Sequence, residues 1–110
     1  MNIETIREYI LQKQDVTEGF PFGEDTLVFK VKDKIFFLTG LDSSPLQFNV
    51  KCDPDKALQL REEYPESVLP GFHMNKKHWN TIIVDGHLSA KQLREMIDDS
   101  YGLVAKTKKK

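Results

Sequence analysis

The chain has 110 residues, 39% apolar and 30% charged, which makes one domain with a single modest core and leaves no room for two. No apolar run approaches the ~20 residues that span a bilayer, and Met1-Asn2-Ile3-Glu4 lacks the basic-then-apolar order of a secretory signal, so a cytoplasmic protein is expected. A net charge of -1 and a pI near 6.3 argue against a strong general nucleic-acid binder while allowing a local basic face, and the single cysteine, Cys52, cannot form an internal disulfide, which fits a reducing compartment.

A first helix is expected from residue 3 to about 13, capped by Asn2, with Ile3, Ile6 and Ile10 on one face. Residues 18–25 hold two glycines and a proline and read as a connecting loop. Leu27, Phe29 and Val31 alternate with Val28, Lys30 and Lys32, a strand period, and Lys32-Asp33-Lys34 turns into a second strand at 35–39. After a turn at 40–45, Leu46, Phe48 and Val50 alternate with Gln47, Asn49 and Lys51 in a third strand.

Asp53 is a good cap for a second helix, and Pro54 suits its first position, where a missing N–H costs nothing. Ala57, Leu60 and Tyr64 share a face, and Pro65 ends the helix. Strands near 68–74 and 79–84 follow, joined through Asn75-Lys76-Lys77, and Asp85-Gly86 makes a turn. Ser89 with Gln92 forms a capping box, and Leu88 with Leu93 a hydrophobic staple. Leu93, Met96, Ile97 and Tyr101 make the buried stripe of the third helix. Gly102 either ends that helix or weakens it, with Leu103 and Val104 packing afterwards, and the lysine tail from about 106 is expected to fray.

The expected order is α-β-β-β-α-β-β-α across a single domain, residues 1–110. Tight turns between successive strands argue for antiparallel pairing. The fold class is α+β in two layers, a five-stranded antiparallel sheet with helices on one face. The other face is expected to stay partly open, carrying Gln47, Asn49, Lys51 and half of the 79–84 strand.

No ligand spacing for a metal is visible: His73 and His78 fall on different sides of a turn, and His87 and Cys52 lie elsewhere in the sequence. Cys52 precedes a helix start, where a thiol pKa can fall, but a strand-end cysteine is more often a small buried hydrophobe. The chain has no Gly-x-Ser-x-Gly elbow and no phosphate-cradling glycine loop. No catalytic residue, cofactor or metal is therefore expected, and the chain is not read as an enzyme.

Binding chemistry concentrates between residues 70 and 81, a dozen positions with two histidines, two lysines, two asparagines, the only tryptophan and no acidic residue. Lys76, Lys77 and His78 could meet phosphates, Trp79 could stack on a base, and Asn75 or Asn80 could read a base edge. Lys51 and Arg61, with Lys30 and Lys32, would extend the positive surface if they lie on the same side. The structural alternative stands beside this reading: Trp79 as core, Asn75-Lys76-Lys77 as a solvated hairpin tip, and Asn80 and Thr81 as partners for buried backbone groups.

This run, Pro70-Gly71-Phe72-His73-Met74-Asn75-Lys76-Lys77-His78-Trp79-Asn80-Thr81, closely resembles the signature of the MmcQ/YjbR family of small bacterial proteins. Glu18-Gly19-Phe20-Pro21-Phe22-Gly23, Val28-Phe29-Lys30-Val31, Lys51-Cys52-Asp53-Pro54, Asp85-Gly86 and Ser100-Tyr101 match in the same order, so the resemblance covers nearly the whole chain. It implies the same α+β layout, likened to a "double-wing" DNA-binding domain of a phage transcription activator in which sheet rather than helix faces DNA. It thereby implies DNA, or another polyanion, as partner. The element order also resembles that of small secretion chaperones, which are usually distinctly acidic, so a non-catalytic protein-binding adaptor is the alternative. An exposed apolar groove or sheet edge would favour it. No membrane partner is expected; the sequence leaves the oligomeric state open, with a monomer favoured.

Overall fold

The computed structural model describes residues 1–71 and 75–106. Its elements are α1 (Ile3–Leu11), β1 (Val16–Gly19), β2 (Thr26–Val31), β3 (Lys34–Gly40), β4 (Leu46–Lys51), α2 (Pro54–Glu63), β5 (Val68–Pro70), β6 (Trp79–Val84) and α3 (Ala90–Ala105). The strands form one antiparallel sheet in the order β1-β2-β3-β4-β6-β5, and all three helices pack on one face. No helix among the described residues is long and apolar enough to cross a membrane.

The sheet has six strands, not the expected five, and the order becomes α-β-β-β-β-α-β-β-α. The added strand is β1, Val-Thr-Glu-Gly, which shortens the expected loop at its start. It pairs with β2 from Val16↔Val31 to Gly19↔Val28. An edge strand held on one side by backbone bonds needs no apolar alternation, and β1 offers only Val16 to a pattern search. The strand expected at 68–74 is β5, ending at Pro70; residues 72–74, including His73, and the tail from 107 lie outside the described residues.

Caps stand where the residue types place them. Asn2 Oδ1 accepts from Thr5 N at 2.9 Å, Asp53 accepts from Lys56 N at 3.3 Å, and Ser89 Oγ accepts from Gln92 N at 3.1 Å. Gln92 Oε1 accepts in return from Ser89 N at 2.8 Å, completing the capping box. Leu88 and Leu93 are both buried, as a staple requires. Gly102 does not end α3, which runs through it to Ala105 and buries Val104. Lys32 and Asp33 have φ of 52° and 69°, the two left-handed residues that a type I′ turn between β2 and β3 demands.

The core runs across the sheet as a line of phenylalanines. Phe29 and Phe37 meet edge to face at 5.5 Å, and Phe37 stacks on Phe48 at 4.9 Å. Phe36 is also fully buried, although strict alternation would turn it to the other face. A bulge explains it: Phe29 pairs with Phe37 and Lys30 with Ile35, leaving Phe36 as the extra residue. Phe36 then packs edge to face on Tyr101 of α3 at 5.4 Å.

The β3–β4 pairing runs from Thr39↔Phe48 to Phe37↔Val50. Just beyond it, the fully buried Ser100 of α3 donates to the Phe36 carbonyl at 2.5 Å and accepts from the Lys51 amide at 2.8 Å. A helix hydroxyl thus continues the ladder where the strands part. Cys52 follows, buried, with its amide donating to the His78 carbonyl at 2.7 Å. Burial pushes its thiol pKa up, against the nearby Lys56, which is the setting of an inert cysteine.

Ser89→Ala removes the α3 cap acceptor and is expected to lower stability by about 1 kcal/mol in urea denaturation. Ser100→Ala strands a buried N–H and a buried C=O together and is expected to cost more, about 1–3 kcal/mol. Hydrogen exchange at the Lys51 amide separates the two: it should accelerate in Ser100→Ala at matched stability and stay slow in Ser89→Ala.

Candidate binding face

The 75–79 turn is shaped from within by Asn75. Its carbonyl accepts from His78 N at 3.1 Å and Trp79 N at 3.0 Å, and its side-chain Oδ1 accepts from Lys77 N at 2.9 Å. Such side-chain-to-backbone bonding is why Asn occupies tight turns. Lys76 and Lys77 are left exposed and His78 half-buried.

Arg61 braces this turn from the helix side. Its Nε donates to Asn80 Oδ1 at 2.8 Å, and one terminal nitrogen donates to the carbonyls of Trp79, at 3.1 Å, and Lys76. A planar guanidinium suits this task, since its donors diverge at fixed angles. Asn80 is only 1% exposed, and its cross-strand partner is Val50 on the core face. Arg61 and Asn80 therefore stand beneath the sheet as supports of the turn, with Arg61's donors turned to protein acceptors.

On the other face the register brings a different set together. The alternation that turns Ile82 into the helix-side core places Trp79, Thr81 and Ile83 on the other face, where Thr81 is itself buried and Trp79 and Ile83 are half-buried. Trp79 lies directly opposite Lys51, outside the core cluster and half-buried. Thr81 pairs with Asn49 and donates to its Oδ1 at 2.6 Å. Gly71, immediately after β5, donates to the Trp79 carbonyl at 2.9 Å. A Cβ on Gly71 would sit 2.9 Å from the Trp79 Cβ, so only glycine lets the chain pass this close.

Electrostatics sharpen the division. Arg7 pairs with Glu18 at 2.5 Å, Lys13 with Asp98 at 2.5 Å and Lys56 with Asp99 at 2.6 Å. Lys51, Lys76 and Lys77 enter no salt bridge among the described residues. Neither β4 nor β6 contains an acidic residue. His87, beyond the end of β6, bonds Asp85 at 2.8 Å, which raises its pKa and separates it from the turn's histidine. Among the described residues no group of three or more His, Cys, Asp or Glu could hold a metal ion. Of the residues singled out in the sequence, Lys51 and Trp79 are thus neighbours on the open face, Asn75, Lys76, Lys77 and His78 form the adjoining turn, and Arg61 and Asn80 lie below. The brace by Arg61 carries no motif spacing that the sequence could have shown.

The same architecture occurs in known proteins. The crystal structure of a Deinococcus radiodurans protein superposes with a TM-score of 0.92 at 38% identity, over 96% of this chain and 80% of that one. A Pseudomonas syringae protein gives 0.76 at 28% identity, over 94% and 99%. In sequence, the uncharacterized protein YbdF of Escherichia coli O157:H7 is 40% identical over 101 residues, covering 92% of this chain and 82% of its own length. The uncharacterized protein YjbR of Escherichia coli K12 is 28% identical over the same length, covering 92% and 85%. The family model described as YjbR matches residues 11–103, from the end of α1 into the last turns of α3. That span contains every strand, the Arg61 brace and the open face, and the chain belongs to the YjbR family.

Proposed function

We propose that this chain binds nucleic acid, DNA foremost, or another polyanion, through the 75–79 turn and the adjoining open face of the sheet. The observation that carries this reading is that Lys51, Lys76 and Lys77, none in a salt bridge among the described residues, stand at one end of two strands that contain no acidic residue. Phosphate contacts supply most non-specific nucleic-acid affinity and release counterions, so binding weakens steeply with salt. Three lysine contacts support modest affinity and a log–log salt slope on the order of -3 for B-DNA. No catalytic role is proposed.

A protein-binding adaptor is the second reading, favoured by a surface at the opposite end of the sheet. Phe20 and Phe22, after edge strand β1, are 50% and 65% exposed, and Leu41 is 42% exposed. A cleft of about 470 Å³ lies beside them, lined by Ile3, Leu27, Leu41, Phe20, Arg7 and Glu18 among others.

Lys76→Ala with Lys77→Ala is expected to leave the melting transition unchanged and to weaken binding of a fluorescent oligonucleotide. Its salt slope should become shallower by up to about 0.9 per lost contact, while Lys91→Ala at the start of α3 leaves both unchanged. The adaptor reading predicts the reverse pattern: no salt-dependent nucleic-acid binding, and a protein partner lost in Phe20→Ser with Phe22→Ser but retained by the lysine variant.

A further inference from the structure

We infer that the nucleic acid taken at this face is single-stranded, with one base seated on Trp79 and neighbouring phosphates on Lys51 and the 75–77 turn. This rests on the nucleic-acid reading above and adds to it the state of the strand.

The first support is the position of the ring. Large aromatics in small domains normally serve the core, yet Trp79 stands outside the core cluster on the open face. Its backbone is held from two sides: the carbonyl accepts from Gly71 N at 2.9 Å and from Arg61 at 3.1 Å, and the next residue, Asn80, is tied to Arg61 at 2.8 Å. These bonds fix the point on the sheet from which the indole projects. The missing side chain at Gly71 keeps the β5 side of its backbone tightly packed.

The second support is the spacing of ring and cation. Lys51 is the direct cross-strand partner of Trp79, which places their Cβ atoms about 5 Å apart. A base and its own phosphate are joined through one sugar, so a stacking surface and a phosphate-binding cation must be close neighbours to serve one nucleotide. Successive nucleotides can then run past the turn, where Lys76 and Lys77 are exposed.

The third support is what the face cannot do with a duplex. Duplex bases expose only their edges, and of the two asparagines suited to read one, Asn80 is buried with Arg61 beneath the sheet and Asn75 turns its side-chain oxygen to the Lys77 amide. A duplex would leave the ring idle. Single strands offer π-faces, and sheet-borne aromatics flanked by cations are a general solution for them.

Trp79 is the only tryptophan, so its fluorescence reports on the proposed contact alone. The test titrates the protein with oligothymidylate, with a duplex of equal length and with heparin, at two salt concentrations. Saturable quenching by oligothymidylate, absent with heparin and duplex, and tighter binding of the single strand are expected. By anisotropy of labelled oligothymidylate, Trp79→Ala should weaken binding about 5- to 100-fold and Trp79→Phe should recover most of it. If Trp79→Ala does not fold, Trp79→Leu serves the same comparison. Duplex bound as tightly as single strand, with a lysine-dependent salt slope and no quenching, overturns the single-strand inference and leaves the polyanion reading standing. Quenching by heparin equal to that by oligothymidylate overturns it likewise. No binding of any of the three at low salt overturns both.

Discussion

The hydroxyl of Ser100 is the interaction on which much of this architecture turns. It stands between β3 and β4, giving its proton to Phe36 and receiving the Lys51 amide. The bulge that buries Phe36 beside Phe37 displaces the strand, and an unpaired buried carbonyl there would be costly. Ser100 meets that need from another layer and docks α3 on the sheet at the same point. Tyr101 adds the edge contact to Phe36 and donates from its hydroxyl to the Gln14 carbonyl at 2.7 Å. The Ser-Tyr pair near the end of the chain thereby links α3, the bulge, the segment before β1 and the lysine at the end of β4.

A similar division of labour runs through the binding face. Groups that look interchangeable in the sequence occupy opposite sides of the sheet. Arg61 and Asn80 lie below and define the turn, while Lys51 and Trp79 lie above and are presented by it. The order of demands is physical. Carbonyls that converge at a turn need donors, and a guanidinium with several diverging N–H groups meets three acceptors at once. Lysine, a compact charge on a long stem, is left for the exposed positions.

Much of the fold was legible because its signals are local. Asn2, Asp53 and Ser89 cap helices for reasons confined to one turn of chain, and the alternation in β4 and β6 directly reports one buried face. β1 was not legible, because its pairing depends on the neighbouring β2 and not on its own side chains. Burial of both Phe36 and Phe37 required a register shift that alternation conceals. Gly102 could be read as a stop or as a weak point, and α3 runs through it to bury Val104. At the candidate site the residue types were visible and their sides were not: the face of Trp79 follows from the β4–β6 register, and the place of Arg61 follows from where α2 docks.

The β4–β6 pairing has a consequence for how the face comes into being. β2 and β3 join through a two-residue turn, the least costly kind of loop closure, whereas residues 52–78 separate the strands that bring Lys51 beside Trp79. Contacts so distant in sequence form only once much of the chain is already ordered. The face therefore depends on long-range pairing and not on a local hairpin. A ligand held there selects the fully closed sheet and adds its binding free energy to the stability of the whole.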